Sequence, residues 1–553
     1  MILRRTFLLK LAGALLLVIL ADQLFWLERA GSTIGLFALA VLAVTVGTRR
    51  DILRRRASGI AAGAALFFAL ALAWEPGPLT ILYFLAAITL AALLPRTRRF
   101  DDAWRWVQRL VVHGLLSPLA LPRDYLILGR ARRRGGPLGL RSKAFVLILP
   151  LTGSILFLSL FAQANPLIGD TLARLDFWPG FDIMTVARFI FWGVLLAGLW
   201  SVLRPPRFAL GRAQPATEWD VALPGISIAS VTISLLAFNL IFALQNGLDL
   251  AFLWSGAALP DGMSFAEYAH RGAYPLIATA LLAGLFVLVA LRPGTATAAS
   301  RPIRLLVTLW IAQNVLLVAS TMLRTVDYVE AYSLTVLRIA ALIWMGLVAL
   351  GLALICYRLL RGRSGAWLIN ANALAATLVL AACCWINLGA IAATWNVRHA
   401  REAGGAGASI DLCYLHELGG RALLPLIELE SRPLPDALRE RVRWLRSGLM
   451  NDMAEEQSDW HGWIFRDAGR LAEAEALVAE RRLPHHRPEP RQCDGSPIPP
   501  PPERAPDDAQ AGNEPAAGEN AVFVSVDNDP DTHAAAPSPG PTLPKPLTAG
   551  QRR

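Results

Sequence analysis

"LTVLRIAALIWMGLVALGLALIC", residues 334–356, is 23 residues long and carries one charge, Arg338, near its start. At about 1.5 Å of rise per residue, a helix of this length crosses a bilayer core of roughly 30 Å. Runs of the same kind recur on both sides of it. Eleven candidate spans are read, at 6–22, 33–48, 58–74, 79–94, 144–163, 183–203, 223–244, 273–291, 304–323, 334–356 and 367–393. The composition agrees: 55% of residues are hydrophobic, 17% are charged, and the mean hydropathy is +0.45. An average soluble chain carries about 25% charged residues. The expected fold class is an all-α integral membrane protein of about 11 transmembrane helices, with a small helical extramembrane C-terminal domain and a disordered tail. The opening "MILRRTFLLKLAG" has the look of a secretory signal, but no small-x-small cleavage site follows it. It reads as a retained anchor.

A net charge of +11 would point to nucleic acid if a soluble domain carried it. Its distribution says otherwise. Residues 1–393 hold 35 Lys/Arg against 17 Asp/Glu, whereas residues 394–553 hold 18 against 25. The basic residues fall in alternate connections. The N-terminus (Arg4, Arg5, Lys10) and the loops at 49–56, 95–143, 204–212, 292–304 and 358–363 hold 29 of them. The intervening set, at 23–32, 75–78, 164–182, 245–272 and 324–333, holds only Arg29, Arg174, Arg271 and Arg324. The positive-inside rule assigns the first set to the cytoplasm. The expected location is the bacterial inner membrane, with a cytoplasmic N-terminus and, after an odd number of spans, a periplasmic C-terminal tail. No nucleic-acid partner is expected.

Five segments follow. Residues 1–94 form a four-helix membrane segment, and 95–143 a basic cytoplasmic loop. In that loop Trp104, Val107, Leu110, Val111 and Leu115 share one helical face and Arg105 and Arg109 the other, the pattern of an amphipathic interfacial helix. Arg130, Arg132, Arg133 and Arg134 are expected to meet anionic lipid headgroups. Residues 144–393 form a membrane core of about seven helices, and 394–483 a small helical domain outside the membrane. Residues 484–553, rich in Pro and Ala, read as disordered. Cys356, Cys383 and Cys384 lie in spans and read as small apolar fillers. Cys413 and Cys493 lie where a disulfide is permitted, although Cys493 borders the Pro-rich stretch.

Candidate site residues come from charge in an apolar setting. "GAALPDGMSFAEYAHRGAY" at 256–274 carries Asp261, Glu267, His270 and Arg271, and just before it lie Gln245, Asn246 and Asp249. Together Asn246, Asp249, Asp261, Glu267, His270 and Arg271 make a candidate outer polar site. Glu267 and Arg271 stand four apart, so an ion pair on one helical face also accounts for them. Arg188 and Arg338 lie within a turn of the outer ends of their spans, where a long side chain snorkels to the headgroups or pairs with Asp182, Asp327 or Glu330. A weak repeat relates 171–188 to 321–338 through Thr171/Thr321, Arg174/Arg324, Thr185/Thr335, Val186/Val336 and Arg188/Arg338. Internal repeats are common in transporters. No Walker loop, dinucleotide fingerprint, HExxH, GxSxG or kinase signature stands in a credible setting. No catalytic residue, metal or cofactor is expected.

"QNGLDLAFLWSGAALPDGMSFAEYAHRGAYPL", "LTVLRIAALIWM" and "WNVRHAREAGGAGASIDLCYLHELG" resemble a family of bacterial multi-spanning proteins of unknown function, DUF 4173, over roughly residues 140–480. The resemblance implies an inner-membrane location and no assigned activity. Three functions stay open. The first is a non-enzymatic sensor, envelope-maintenance factor or assembly partner with an outward-facing polar vestibule and an envelope protein partner. The second is a transporter. The third is a transferase or hydrolase acting on a lipid-linked substrate, with Asp261 or Glu267 as acid or base and Arg271 on phosphate.

Overall fold

The computed structural model describes residues 2–97, 100–124, 183–205, 227–252, 300–486 and 489–498, with scattered positions between 153 and 165 and between 278 and 297. All belong to one compact unit, Met1–Ile498. Every regular element among them is a helix. Eight of these helices are long and apolar enough to cross a membrane.

A first bundle gathers α1 (Ile2–Phe25), α2 (Thr33–Thr48), α3 (Arg56–Trp74), α4 (Pro78–Leu93) and α6 (Ile183–Leu203). Small residues set its spacing: Ala61, Ala62, Ala65 and Ala69 form the buried face of α3. A Cβ on Gly35 of α2 would lie 2.2 Å from the backbone of Ala73. Membrane helices approach closely in this way because lipid supplies no hydrophobic drive between them. A second bundle comprises α7 (Ile228–Phe252), α8 (Arg301–Tyr332), α9 (Val336–Arg361) and α10 (Gly365–Cys383). Trp310 stands at its centre, ringed by Phe238, Phe242 and Phe286. The expected spans at 144–163 and 273–291 lie mostly outside the described residues, and α2, a 16-residue apolar helix, is not among the eight.

Helix α5 (Ala103–Leu116) does not span. Asp102 caps it by accepting from the Arg105 N–H at 2.9 Å, and Arg109 forks onto both oxygens of Asp101 at 2.7 Å. Its buried contacts are Trp106 and His113, while Trp104, Val107, Val111 and Leu115 stay exposed as an apolar stripe. That division suits a helix lying in the membrane interface. Arg130, Arg132, Arg133 and Arg134 lie outside the described residues.

Three boundaries differ from the sequence reading. Helix α8 runs unbroken for 32 residues, about 48 Å, so it passes through the bilayer core and takes in the expected loop at 324–333. The expected span at 367–393 breaks at 384–387, where Asn387 accepts from the Ala390 N–H at 2.9 Å and starts α11 (Leu388–His399). Residues 484–486 and 489–498, expected to open the disordered tail, pack back onto the preceding helices, and Cys493 is disulfide-bonded to Cys413 with a Cα–Cα distance of 4.8 Å. Contacts from the helices hold this segment, among them Arg441 on Asp494, Arg446 donating to the Pro484 carbonyl at 2.7 Å, and Trp444 donating to the Glu489 carbonyl at 3.0 Å.

Helix α11 therefore belongs with α12 (Leu412–Glu417), α13 (Leu423–Glu430), α14 (Asp436–Ser458) and α15 (Phe465–Glu480). They share a core that includes Leu415, Leu423, Leu426, Ile427, Val442 and Leu445.

The two ends of the bundles are chemically distinct. At one end the carbonyls that close α6 collect cations: Lys10 donates to Leu203 O at 3.0 Å, Arg49 to Val202 O at 3.2 Å, and Arg96 to Pro205 O. A helix C-terminus leaves such acceptors unpaired and favours positive charge. At the opposite end the turns meet the C-terminal helices. Gly31 N–H donates to His461 O and Ser32 N–H to Trp463 O, both at 2.8 Å. Asn396 pairs with both backbone groups of Leu334, at 2.6 and 2.9 Å, and Val336 N–H donates to the Tyr414 hydroxyl at 2.9 Å. Glycine is required at position 31, because a Cβ there would lie 2.4 Å from Trp463 O.

Candidate functional site

Helices α7 and α8 run in the same direction and share a polar seam. Asn239 donates to Leu306 O at 3.1 Å. Seven residues further along each helix, Asn246 donates to Gln313 O at 3.2 Å. Gln313 in turn donates to Asn239 Oδ1 at 2.8 Å. Beyond them Asp249 Oδ1 accepts from Gln245 at 3.0 Å and from the Arg324 guanidinium. Asp249 is 3% exposed and Arg324 8%. An ion pair this dry, set among apolar helices, costs desolvation that only close geometry offsets.

The seam is rich in acceptors. Asn246 Oδ1, Asp249 Oδ2, Gln313 Oε1 and Asn314 Oδ1 are buried with no hydrogen-bond partner among the described residues. In hydrocarbon an unmet polar group costs several kcal/mol, on the order of 2–7. Three amide oxygens and one carboxylate oxygen of this kind favour a hydrogen-bond donor or a hard cation at that place.

The structure thus brings Asn246 and Asp249 into one constellation with Arg324, Gln313, Asn239 and Asn314. Asp261, Glu267, His270 and Arg271 lie outside the described residues. The sequence reading missed Arg324 because it assigned 324–333 to a loop. The usable signal was the run of apolar residues before it, which continues in helical register through Leu317, Thr321 and Arg324 as one buried stripe.

The helix-end arginines have other partners than those expected. Arg188 Nε donates to Asp22 of α1 at 2.8 Å, Trp192 Nε1 reaches the same carboxylate at 2.8 Å, and the Arg188 guanidinium lies 5.8 Å from the Trp26 ring. Asp182, the expected partner nearest in sequence, is outside the described residues. Arg338 folds back on the end of α8, donating to Tyr332 O at 2.7 Å and to Ser333 O, with its guanidinium 4.0 Å from the Tyr328 ring. In these contacts Arg338 joins α9 to the end of α8. Of the two segments related by the repeat, 321–332 is helix, and 171–182 lies outside the described residues.

A second polar centre fastens the C-terminal helices. Glu75, in the turn between α3 and α4, accepts from Asn387 at 2.7 Å and Arg466 at 3.0 Å, with Arg421 at 3.7 Å. Arg466 also donates to Trp385 O at 3.0 Å. Asp467 pairs with Arg470 beside this cluster. Burial pushes the Asp467 carboxyl above its ordinary range, Arg470 draws it back, and Glu75 adds to the rise. The centre joins elements nearly 400 residues apart and has no exposed nucleophile.

A family model described as "Domain of unknown function (DUF4153)" matches residues 61–429. The chain belongs to that family. The resemblance stated from sequence gave the number 4173; the family is DUF4153, likewise of unknown function. Its match begins within α3, ahead of the expected residue 140, and ends within α13, so α14, α15 and the disulfide-bonded segment at 493 lie beyond it. No curated protein and no solved structure matches this DUF4153 chain.

Proposed function

We propose that this DUF4153 protein is a non-catalytic multi-spanning protein of the bacterial inner membrane that serves envelope sensing, maintenance or assembly by holding a helical unit on its outer face. One observation carries the reading: α11–α15 are fastened to the turns 26–32, 75–77 and 333–335 by backbone hydrogen bonds and the Glu75 cluster. An arrangement so fixed suits presentation of a surface to another envelope protein. The orientation follows from the charge count, which puts these turns outside. The Cys413–Cys493 bridge supports it, because disulfides persist in oxidising compartments. The fuller count of about 11 spans fits the parallel run of α7 and α8, the seventh and ninth of that count.

The test is complementation of a deletion strain. Gly31→Leu, which sets a side chain against Trp463 O, is expected to insert normally and fail to complement. Alanine at Asp261, Glu267, His270 and Arg271 is expected to complement. The reading is lost if Gly31→Leu complements fully while limited proteolysis shows the helical unit released.

The seam between α7 and α8 favours a second reading, transport. Ionisable residues inside membrane helices commonly mark substrate or ion pathways. Asp249→Asn would then abolish solute accumulation in proteoliposomes without releasing the helical unit. If accumulation by Asp249→Asn equals that of the unsubstituted chain, transport through the seam is excluded.

A further inference from the structure

Where α1 meets the C-terminal unit, three side chains converge that neither the spans nor the docking hydrogen bonds require. Glu28 follows α1. Asp459 and His461 lie in the connection between α14 and α15. His461 Nδ1 is 3.2 Å from Asp459 Oδ1 and 3.5 Å from Glu28 Oε2, and the three ligand atoms all lie within 4.8 Å of one another. The chain is shaped to bring them together. Leu27 adopts φ +61°, the left-handed region, immediately before Glu28, and the backbone of 461–463 is pinned by Gly31, Ser32 and Thr33. The His461 backbone N–H donates to Asp459 Oδ1 at 3.1 Å, which fixes the position of that carboxylate.

The other ring nitrogen decides the chemistry. His461 Nε2 lies 3.2 Å from the Gln23 carbonyl oxygen. A carbonyl can only accept, so Nε2 carries the hydrogen. In the neutral imidazole the Nδ1 lone pair then faces two carboxylates, and three electron-pair donors converge. Ligand atoms about 2.0–2.1 Å from a tetrahedral zinc ion are about 3.3 Å apart, and the measured 3.2 and 3.5 Å bracket that value. A metal-bound histidine characteristically gives its second N–H to a carbonyl or carboxylate, the place Gln23 O fills.

We propose that Glu28, Asp459 and His461 form a divalent transition-metal site of zinc type, and that the bound ion staples the extramembrane helical unit to the first turn of the membrane bundle. Three protein ligands leave a fourth position for water. The site joins residues more than 430 positions apart, so its ion reports that the two ends of the chain have met. It is independent of the seam between α7 and α8 and of whether the protein senses or transports.

The test uses the untagged full chain in detergent, stripped with a chelator and titrated with Zn2+ against a chromogenic zinc indicator at neutral pH. One retained equivalent per chain is expected, absent in His461→Ala. In Glu28→Gln, a change on an exposed turn that leaves the fold intact, affinity should fall by about tenfold or more. Zinc should also slow proteolytic cleavage within 459–463 in the unsubstituted chain and not in Glu28→Gln. Three results would each overturn the proposal: no retained equivalent, an equivalent that survives His461→Ala, or protection that arises on mild acidification and is indifferent to zinc. The last would make a proton the bridging cation.

Discussion

Among the described residues two acid–arginine pairs are buried on both sides, and they are built on opposite plans. In the C-terminal helices Glu430 is saturated: Oε1 meets Arg443 at 3.2 Å and Oε2 meets Arg446 at 2.6 Å. Arg446, fully buried, spends its remaining hydrogens on Met450 Sδ and Pro484 O. In the membrane seam Asp249 concentrates its bonds on one oxygen, while Oδ2 and the neighbouring amide oxygens of Asn246, Gln313 and Asn314 have no partner among the described residues. A saturated network rigidifies and has nothing left to offer a ligand, whereas a partly satisfied one is where a ligand, a proton or water gains most. The contrast separates structure from candidate function more sharply than burial does, since both pairs are buried.

Four measurements test this contrast. The largest effect is expected at Arg446→Met, which strands Glu430 in a dry core. Removing one partner of a buried pair costs about 3–5 kcal/mol. Thermal unfolding of the extramembrane unit within the full chain should register it, and Glu430→Gln on top of Arg446→Met should recover most of the loss. If the single change is tolerated, the saturated pair is not structural. Next comes Cys413→Ser with Cys493→Ser. The bridge spans a separation of 80 residues, and losing a disulfide of this kind costs about 2–5 kcal/mol. Reductant should lower the unfolding temperature of the unsubstituted chain and leave the double variant unmoved.

A smaller stability loss, about 1–3 kcal/mol, is expected for Asp249→Asn, because the guanidinium keeps part of its coordination. The paired change Asp249→Leu with Arg324→Leu should melt close to the unsubstituted protein yet fail to complement a deletion. Full complementation would reduce the seam to packing. The smallest effect concerns pH. Burial, with Arg96 adding to it, holds the His113 imidazole at about 4 instead of 6.5. Its Nε2 donates to Ser201 Oγ at 3.2 Å, whose own hydrogen goes to Gly198 O at 2.7 Å, and the buried Nδ1 has no partner among the described residues to accept a second proton, so the neutral ring is the form that fits. The unfolded chain takes up this proton first as pH falls from about 6.5 to about 4, so stability declines across that window. His113→Asn should flatten that part of the melting profile.

What could be read from sequence was whatever a single segment carries. Apolar runs mark the spans, and the Lys/Arg of alternate loops sort those loops into two sets. The structure joins the sets as predicted: Arg49, Arg55 and Arg96 lie at one end of the bundles, and Gly31, Glu75 and Leu334 meet the C-terminal helices at the other. What could not be read was any pairing between segments. Arg188 meets Asp22 across 166 positions, and Asp249 meets Arg324 across 75. Hydropathy is blind to such partners because it scores each residue alone. Arg324 was misplaced for a further reason: α8 overshoots the membrane, and no helix-ending residue stands where its apolar stretch thins. Cys493 was discounted by its Pro-rich surroundings, although prolines tolerate a segment held by side chains and one disulfide.

The docking of α11–α15 also has a meaning in time. The turns they cover are made first, and the residues that cover them are made last: Ser32 Oγ accepts from Phe465 N–H across 433 positions, and Glu75 from Arg466 across 391. During synthesis the early helices are made with those turns bare, and they stay bare until the last helices of the chain have been made and docked. A chain cut short anywhere before residue 461 keeps an open seam of backbone donors at Gly31 and Ser32.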